Sequence, residues 1–346
     1  MRIALIGCGA VGKVHLREAL ATAGCTVVAV CDVDRDAAEA LARDNGIPRA
    51  IADAEALLVD PQIDGLILAL PTALRRDLAA RALQAGKHLL LEKPMGLDAT
   101  DIEKLLAVRG DRTVACCSGR MSLMTHAARA RAAIADGALG ALRTIHCWAT
   151  TPVGARPTSP PPAWRVSHAL NGGGILMNWG IYDLDLLFSL TGWRLRPVAV
   201  SAQTWGIAPG LDDRVAPGSD AETHLAATVR FACGARLVYE RGEFTATPAR
   251  QEWQLLGDRG ALRLHLHDAT APVWLDRADP DTGVHSEILH HDPASTEHFM
   301  TGPVADWVRA RESGHAPQTG LPEALTLARL TDAIYRSARS GRECEP

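Results

Sequence analysis

Arg2-Ile3-Ala4-Leu5-Ile6-Gly7-Cys8-Gly9-Ala10-Val11-Gly12 is the stretch that decides the fold. A short apolar strand runs straight into glycines spaced G-x-G-x-x-G, and a helical stretch follows through about Thr22. In that context each glycine has a physical reason to be there. Gly7 permits the tight turn, Gly9 lets backbone approach a pyrophosphate, and Gly12 allows close helix packing. The first helical amides, from Ala10 and Val11 onward, then face the anion. Three glycines alone are weak evidence. Here the next strand, Val27 to Cys31, ends at Asp32, 20 positions after Gly12, which is the confirming context for a dinucleotide site. Asp32 can accept both hydroxyls of an adenosine ribose and would repel a 2′-phosphate, so NAD is expected over NADP. Arg35, just past the strand, is the residue type that accommodates such a phosphate and keeps NADP as the lesser alternative.

Working outward, the alternation continues. A strand over Ile63 to Leu70 ends in Pro71-Thr72, a helix spans about Ala73 to Ala85, and Leu89-Leu90-Leu91 forms an unbroken apolar strand. A helix over Ala99 to Val108 and a strand over Thr113 to Cys117 close the pattern near residue 119. Strands alternating with helices at this spacing imply a parallel, doubly wound α/β Rossmann sheet in residues 1–119. The Leu89 strand stops at Glu92-Lys93-Pro94, a charged pair followed by the residue that cannot continue a sheet. Open α/β sheets place their chemistry at such strand ends, so Glu92 and Lys93 are candidate site residues; the plain alternative is a solvated turn.

Length and composition bound the rest. A chain of 346 residues is too long for most single cores, so two domains are expected. The net charge of -4, with no Lys/Arg-rich block, gives no basic field for nucleic acid. No apolar stretch approaches the length of a membrane span, and the N-terminus lacks a signal-peptide pattern. Eight scattered cysteines without a CxxC pair indicate neither zinc nor a disulfide framework, and a cytoplasmic, reduced setting is expected. His265 and His267 share one face of a strand, but no third ligand accompanies them, so no metal is expected.

Residues 120–346 read as a second, α+β domain with a large, mostly antiparallel sheet. A helix around His126 to Ala135 and a strand over Leu142 to Thr150 precede a loop holding Pro152, Pro157, Pro160, Pro161 and Pro162. Trp164-Arg165 at its far end either serve function or pin the loop. Strands are expected at Val198–Trp205, His224–Ala232, Arg236–Glu243, Glu252–Leu256, Ala261–His267 and Val273–Leu275, with helices over about Thr296 to Arg311 and Pro322 to Ser337. His290-His291 reads as a solvated loop. Between loop and sheet, Gly172-Gly173-Gly174 leads a helix, Ile175 to Leu190, in which Asn178, Tyr182 and Asp185 stand at i, i+4 and i+7 on one face. Leucines surround that stripe, so the helix is buried on most sides and its polar residues need partners or a cleft. A satisfied core tyrosine is the plain reading of Tyr182. Asp183 is open between a supporting role and a surface charge, and Asp185 between a substrate acceptor and a structural hydrogen bond. Gly180 costs about 1 kcal/mol against alanine in a helix interior, which points to a close approach.

Taken in order, the glycine fingerprint, Asp32, Pro71, Ala85-Gly86-Lys87-His88 into Glu92-Lys93-Pro94, Trp164-Arg165 and Gly172-Gly173-Gly174 through Asp185 resemble the glucose-fructose oxidoreductase and inositol dehydrogenase (Gfo/Idh/MocA) family. The ending Ala333-Ile334-Tyr335-Arg336-Ser337-Ala338 is similar to that family's terminal helix, so the resemblance spans the chain. It implies an NAD(P)-dependent oxidoreductase acting on CH–OH groups of a sugar, cyclitol or related polyol. It also implies roles. The family's lysine of Glu-Lys-Pro, contacting substrate and nicotinamide, maps onto Lys93. The acid/base maps onto Tyr182, with Lys93 orienting the hydroxyl and tuning the phenol; the reverse assignment is the alternative. Many relatives carry histidine at 182 and aspartate at 178, and tyrosine resembles the glucose-fructose oxidoreductase and dihydrodiol dehydrogenase branches. Asn178 cannot hold the aspartate's charge, and Arg75 stands where histidine is common. Arg120, Trp164, Arg165, Asn178 and Asp185 are the candidate substrate contacts, and Gly7, Gly9, Ala10, Val11, Gly12, Asp32, Arg35, Pro71, Thr72, Glu92 and Lys93 the candidate cofactor contacts. A homodimer or homotetramer is expected, because the family's second-domain sheet is open on one face. Two other functions stay open: a catalytically silent dinucleotide or sugar sensor of the same fold, and a ketosugar reductase of secondary metabolism.

Overall fold

A computed structural model describes residues 1–159 and 161–346; Pro160, one of the loop prolines above, lies outside the described residues. By contacts the chain forms two units, Met1–Arg120 with Met300–Leu325, and Met121–Phe299 with Thr326–Pro346. The expected division at 119/120 thus has an addition: residues 300–325 fold with the first unit rather than with the rest of 120–346.

The first unit runs β1 (Arg2–Ile6), α1 (Ala10–Ala21), β2 (Thr26–Cys31), α2 (Arg35–Asn45), β3 (Ala50–Ile51), α3 (Glu55–Leu58), β4 (Gly65–Leu68), α4 (Thr72–Gln84), β5 (His88–Leu91), α5 (Ala99–Val108) and β6 (Val114–Cys116). Its six-stranded sheet has the order β3-β2-β1-β4-β5-β6, and every pairing is parallel. The order reverses between β1 and β4, and β1 and β4 end beside each other with Ile6 opposite Leu68. That is the switch point where doubly wound sheets take their ligand. Because helices cover a parallel sheet on both faces, Ile3–Ile6 of β1, Gly65–Leu68 of β4 and His88–Leu91 of β5 are buried as continuous runs rather than alternating. Helix α2 was not anticipated; Asp34 caps it, accepting from Ala37 N, and Gly46 ends it at φ 66°. Val304 and Trp307, far along the chain, complete this core.

In the second unit come α6 (Thr125–Ala135), β7 (Leu142–Pro152), α7 (His168–Asn171), a π-helical turn over Leu176–Gly180, α8 (Ile181–Leu190) and β8 to β14 (Pro197–Trp205, His224–Phe231, Arg236–Thr245, Arg250–Gly257, Ala261–His265, Val273–Asp279, Gly283–His290). The eight-stranded sheet is ordered β14-β13-β12-β11-β7-β10-β9-β8, antiparallel except for the parallel pair β7–β10. One unforeseen strand is β14: its residues are exposed along most of its length, so it lacks the apolar alternation that marks a half-buried strand, and His290 is its last residue rather than loop. The expected helix over 296–311 is α9 (Pro303–Ser313) instead, belonging to the first unit. Pro303 is fixed for a first helical position, and Glu18 Oε1 accepts from Gly302 N (2.8 Å) and Val304 N (3.0 Å), which ties that start to α1. The last helix, α10, spans Leu321–Ser340.

Every residue of α8 is buried. Ile181, Leu184, Leu186, Leu187 and Phe188 join the sheet's inner face in one core, and each such side chain gains about 1.5–3 kcal/mol from burial. That gain tolerates two buried carboxylates in the same helix only because both find partners, described next.

Candidate active site

The glycine turn behaves as its spacing predicts. Gly7 has φ 101°, and a Cβ there would lie 2.4 Å from the Ala69 carbonyl oxygen; a Cβ on Gly12 would lie 1.9 Å from that of Gly7. Around Gly9 nothing lies within 4 Å of an added Cβ, so this backbone is left open to a close-approaching ligand. Gly9 is also the N-cap of α1, with no side chain capping it and no acidic residue in the first turn, so the amides at Ala10 and Val11 face outward with a favourable dipole. Asp32 accepts from Cys8 N with Oδ2 (2.7 Å) and from Asp34 N with Oδ1 (3.0 Å), which fixes the carboxylate while leaving each oxygen a lone pair for a ribose hydroxyl. Arg35 is turned away along α2, 79% exposed and paired with Glu39 at 2.7 Å, so the cation that could answer a 2′-phosphate is engaged elsewhere. These residues fit a dinucleotide with free ribose hydroxyls.

Across the switch point, Pro71 is the N-cap of α4 and Thr72 its first residue. Arg75 is buried beneath them, and its guanidinium donates to the carbonyls of Leu70 and Pro94 and to Thr72 Oγ1 (3.3 Å). Arginine at this position therefore stitches the α4 turn to the β5 turn. At the end of β5, Glu92 is buried, which excludes the solvated-turn reading for it. Its carboxylate receives His15 Nε2 (2.8 Å), the guanidinium of Arg120 and Lys93 N (3.0 Å). Burial pushes Glu92 up, but Arg120 and His15 outweigh it and hold the carboxyl well below its usual range. Lys93 is partly exposed and follows this fixed group, with a cis peptide to Pro94.

Arg120, expected at the substrate, is fully buried and also donates to the Met300 carbonyl. His15, Glu92 and Cys117 bring donor atoms within 4.8 Å of one another. Yet burial holds the Cys117 thiol well above its ordinary value, and Arg120 Nη2 sits 3.4 Å from His15 Nε2, so the positive charge is already supplied by arginine.

In the second unit the triple glycine is a packing device. A Cβ on Gly173 would meet the Tyr335 hydroxyl at 1.9 Å, and one on Gly174 the Glu222 carbonyl oxygen at 1.8 Å. Glu222 then caps the helix start, accepting from Gly174 N (3.0 Å), Leu176 N (2.9 Å) and Tyr335 Oη (2.9 Å). Gly180 has the close approach its cost suggested: a Cβ would lie 2.7 Å from the Tyr239 hydroxyl.

The polar stripe divides by partner. Asn178, in the π turn, donates from Nδ2 to the Arg165 carbonyl at 2.6 Å. Tyr182, in the first turn of α8, is buried with its ring edge-on to Trp179 at 5.8 Å. Asp185 is fully buried and accepts from Ser122 Oγ (2.9 Å), so the structural hydrogen bond is the one realised. Asp183 is no surface charge: it is fully buried, accepts bidentately from Arg241 Nε and Nη2 (both 2.8 Å) and takes the Tyr239 hydroxyl at 2.7 Å. At the loop end Trp164 is partly exposed, and the Arg165 guanidinium pairs with buried Glu243. Burial raises Glu243 above its ordinary value, with Arg165 opposing.

Glu222, Tyr239, Arg241 and Glu243 escaped the sequence reading, although three of them carried a signal. On β10, Leu237, Tyr239, Arg241 and Glu243 fall on one face by the period of two, so an inward arginine and glutamate were legible as charges needing partners.

Residues 1–119 match the oxidoreductase family with an NAD-binding Rossmann fold, and residues 127–263 match the GFO/IDH/MocA C-terminal domain. The chain belongs to this family and is an NAD-dependent oxidoreductase of the dehydrogenase/reductase class. Among individual proteins, it is 27% identical over 351 residues to inositol 2-dehydrogenase of Rhizobium meliloti (strain 1021), covering 99% of this chain and 98% of that protein. Its fold matches aldose-aldose oxidoreductase from Caulobacter crescentus complexed with glycerol at a TM-score of 0.82 (23% identity, 100% and 99% of the two chains). It also matches levoglucosan dehydrogenase in complex with NADH at 0.84 (20% identity, 100% and 98%). No helix among the described residues is long and apolar enough to cross a membrane.

Proposed function

We propose that the protein moves a hydride between NAD and a ring or chain carbinol of a sugar, cyclitol or related polyol, with Tyr182 as acid/base and Lys93 binding the reacting oxygen. Two features, each within its own unit, support this reading: Lys93 directly after a strand end whose Glu92 is locked by three donors, and a phenol at 182 in the first turn of a buried helix. NAD supplies the two-electron acceptor. The residues supply the rest: Lys93 orients the hydroxyl through its ammonium group, and Tyr182 takes the hydroxyl proton as the hydride leaves, or returns it in reduction. A phenol with a free pKa of about 10 needs positive charge nearby to do this at neutral pH.

Trp164 and Arg165 are proposed to contact substrate from the loop end. Arg120 and Asp185 act from inside the fold, since both are fully buried on protein partners. Inositol 2-dehydrogenase and D-apiose dehydrogenase among the relatives direct the first assays to inositols and aldoses. We further propose a homo-oligomer in the cytoplasm. Trp205 and Leu256 on sheet strands are half exposed, which favours a covering partner, and eight free cysteines suit a reducing setting. A monomer in light scattering at working concentration overturns the first of these two ideas, and fractionation of the native protein outside the cytoplasm the second.

The decisive experiment is a panel of inositols, aldoses and diols with NAD, followed by Tyr182→Phe and Lys93→Met on the best substrate. Tyr182→Phe should bind NAD normally and lose roughly 10²- to 10⁴-fold in turnover. Lys93→Met should lose as much and raise KM as well. Near wild-type turnover in Tyr182→Phe at every pH would transfer proton movement to Lys93.

A further inference from the structure

The loop after β7 borders an open pocket. The pocket, about 500 Å³ in volume, is lined by Pro152, Gly154, Pro157, Arg165, Glu243 and Phe244 among others. Its near side is pinned by backbone and arginine: Val153 N donates to Thr245 O (3.0 Å), and Arg214 Nη1 donates to Gly154 O (2.8 Å). The far side is held at Arg165. There the guanidinium meets Glu243, and the carbonyl receives Asn178 Nδ2.

A carbonyl oxygen can only accept, so this contact demands a donor from residue 178. An amide supplies one; an ionised carboxylate would set oxygen against oxygen. Asn178 is 4% exposed, so water cannot readily replace the bond if it is lost. We propose that Asn178 is a positioning residue: its amide latches the end of the proline-rich loop to the helix that carries Tyr182, and thereby fixes Arg165 and the cavity wall for the substrate. The consequence for substrate rests on the reading of Tyr182 given above, whereas the latch itself does not.

The test is amide hydrogen exchange of residues 153–166 in the full-length protein, wild type, Asn178→Asp and Asn178→Ala, from mildly acidic to mildly alkaline pH, corrected for intrinsic exchange. In Asn178→Asp the new carboxyl is buried, which raises its pKa. Protonated, it donates to the Arg165 carbonyl and the latch holds; as pH rises and it ionises, the latch opens. Glu222, Glu243, His168, Tyr182, Asp183 and Tyr335, with Arg165 and Arg241, are the titratable and charged groups on the described residues packed around this helix start. Wild type carries the same set, so pH dependence unique to the aspartate variant belongs to residue 178. Expected are pH-independent protection in wild type, wild-type protection of the aspartate variant at acid pH falling about tenfold as pH rises, and loss at every pH in Asn178→Ala. On the best substrate, Asn178→Ala should raise KM far more than it lowers kcat.

Protection in the aspartate variant that stays at the wild-type level throughout overturns the latch, and so does protection lost equally at every pH. Should the alanine variant fail to fold, the aspartate titration decides alone. A pH-flat loop alongside an inactive Tyr182→Phe removes this inference only; the converse pattern removes the Tyr182 assignment only.

Discussion

Each unit buries a carboxylate against an arginine one residue away from a proposed catalytic side chain: Glu92 with Arg120 before Lys93, and Asp183 with Arg241 after Tyr182. The two are built differently. Glu92 has the Arg120 guanidinium, the His15 ring and Lys93 around it, and is held well below the usual carboxyl range despite burial. Asp183 has Arg241 and a neutral phenol, and there burial wins, raising it above its ordinary value. Burial likewise pulls Arg241 down, but Asp183 beside it more than compensates. The first group is an anion with positive charge to spare around it, which suits the cofactor and substrate role proposed for this strand end. Asp183 belongs to a closed pair, matched bond for bond, whose work is to orient α8 against the sheet.

The largest expected effect breaks the closed pair. Arg241→Met should cost about 3–5 kcal/mol in denaturant unfolding, because it strands a fully buried carboxylate. Arg120→Met should cost clearly less, since Glu92 keeps its contacts with His15 Nε2 (2.8 Å) and Lys93 N (3.0 Å) when the guanidinium is lost. Equal losses would mean that these remaining partners do not compensate for the guanidinium.

A pH series of unfolding sharpens the contrast at an intermediate size. Glu92 has a folded pKa below its ordinary 4.5, so its contribution is present above that value and is lost as pH falls toward the folded pKa. Asp183 has a folded pKa above 3.8, so its titration favours the folded state at acid pH and that contribution fades as pH rises through the folded pKa. The stability gap between wild type and Glu92→Gln should therefore narrow on acidification below 4.5. The gap for Asp183→Asn should not narrow in parallel, and parallel curves would erase the distinction.

The smallest structural effect comes from the glycines. Gly12→Ala should destabilise the first unit, because a Cβ there lies 1.9 Å from a backbone oxygen. Gly9→Ala should leave the unfolding midpoint nearly unchanged, there being nothing within 4 Å, and should instead weaken NAD in a fluorescence titration. A Gly9→Ala protein that binds NAD as wild type does would remove the close-approach role assigned to Gly9.

What could be read from the sequence alone follows from how local the physics is. The glycine turn, Asp32, the apolar strand runs and the Glu-Lys-Pro strand end are consequences of φ angles, chain reach and strand burial within a few residues, and the parallel, doubly wound sheet came from their order. Gly180 announced a close approach without naming the neighbour. Only tertiary structure supplied the Tyr239 hydroxyl as that neighbour, set Glu222 and Tyr335 against the triple glycine, gave Asp183 its arginine 58 positions away, and buried Arg120 in the first unit against Glu92. It also returned residues 300–325 to the first core and left β14 as an exposed strand. A buried charge states that it needs a partner; which partner, at what distance, is settled by strands and helices brought together from opposite ends of the chain, and no local pattern encodes that meeting.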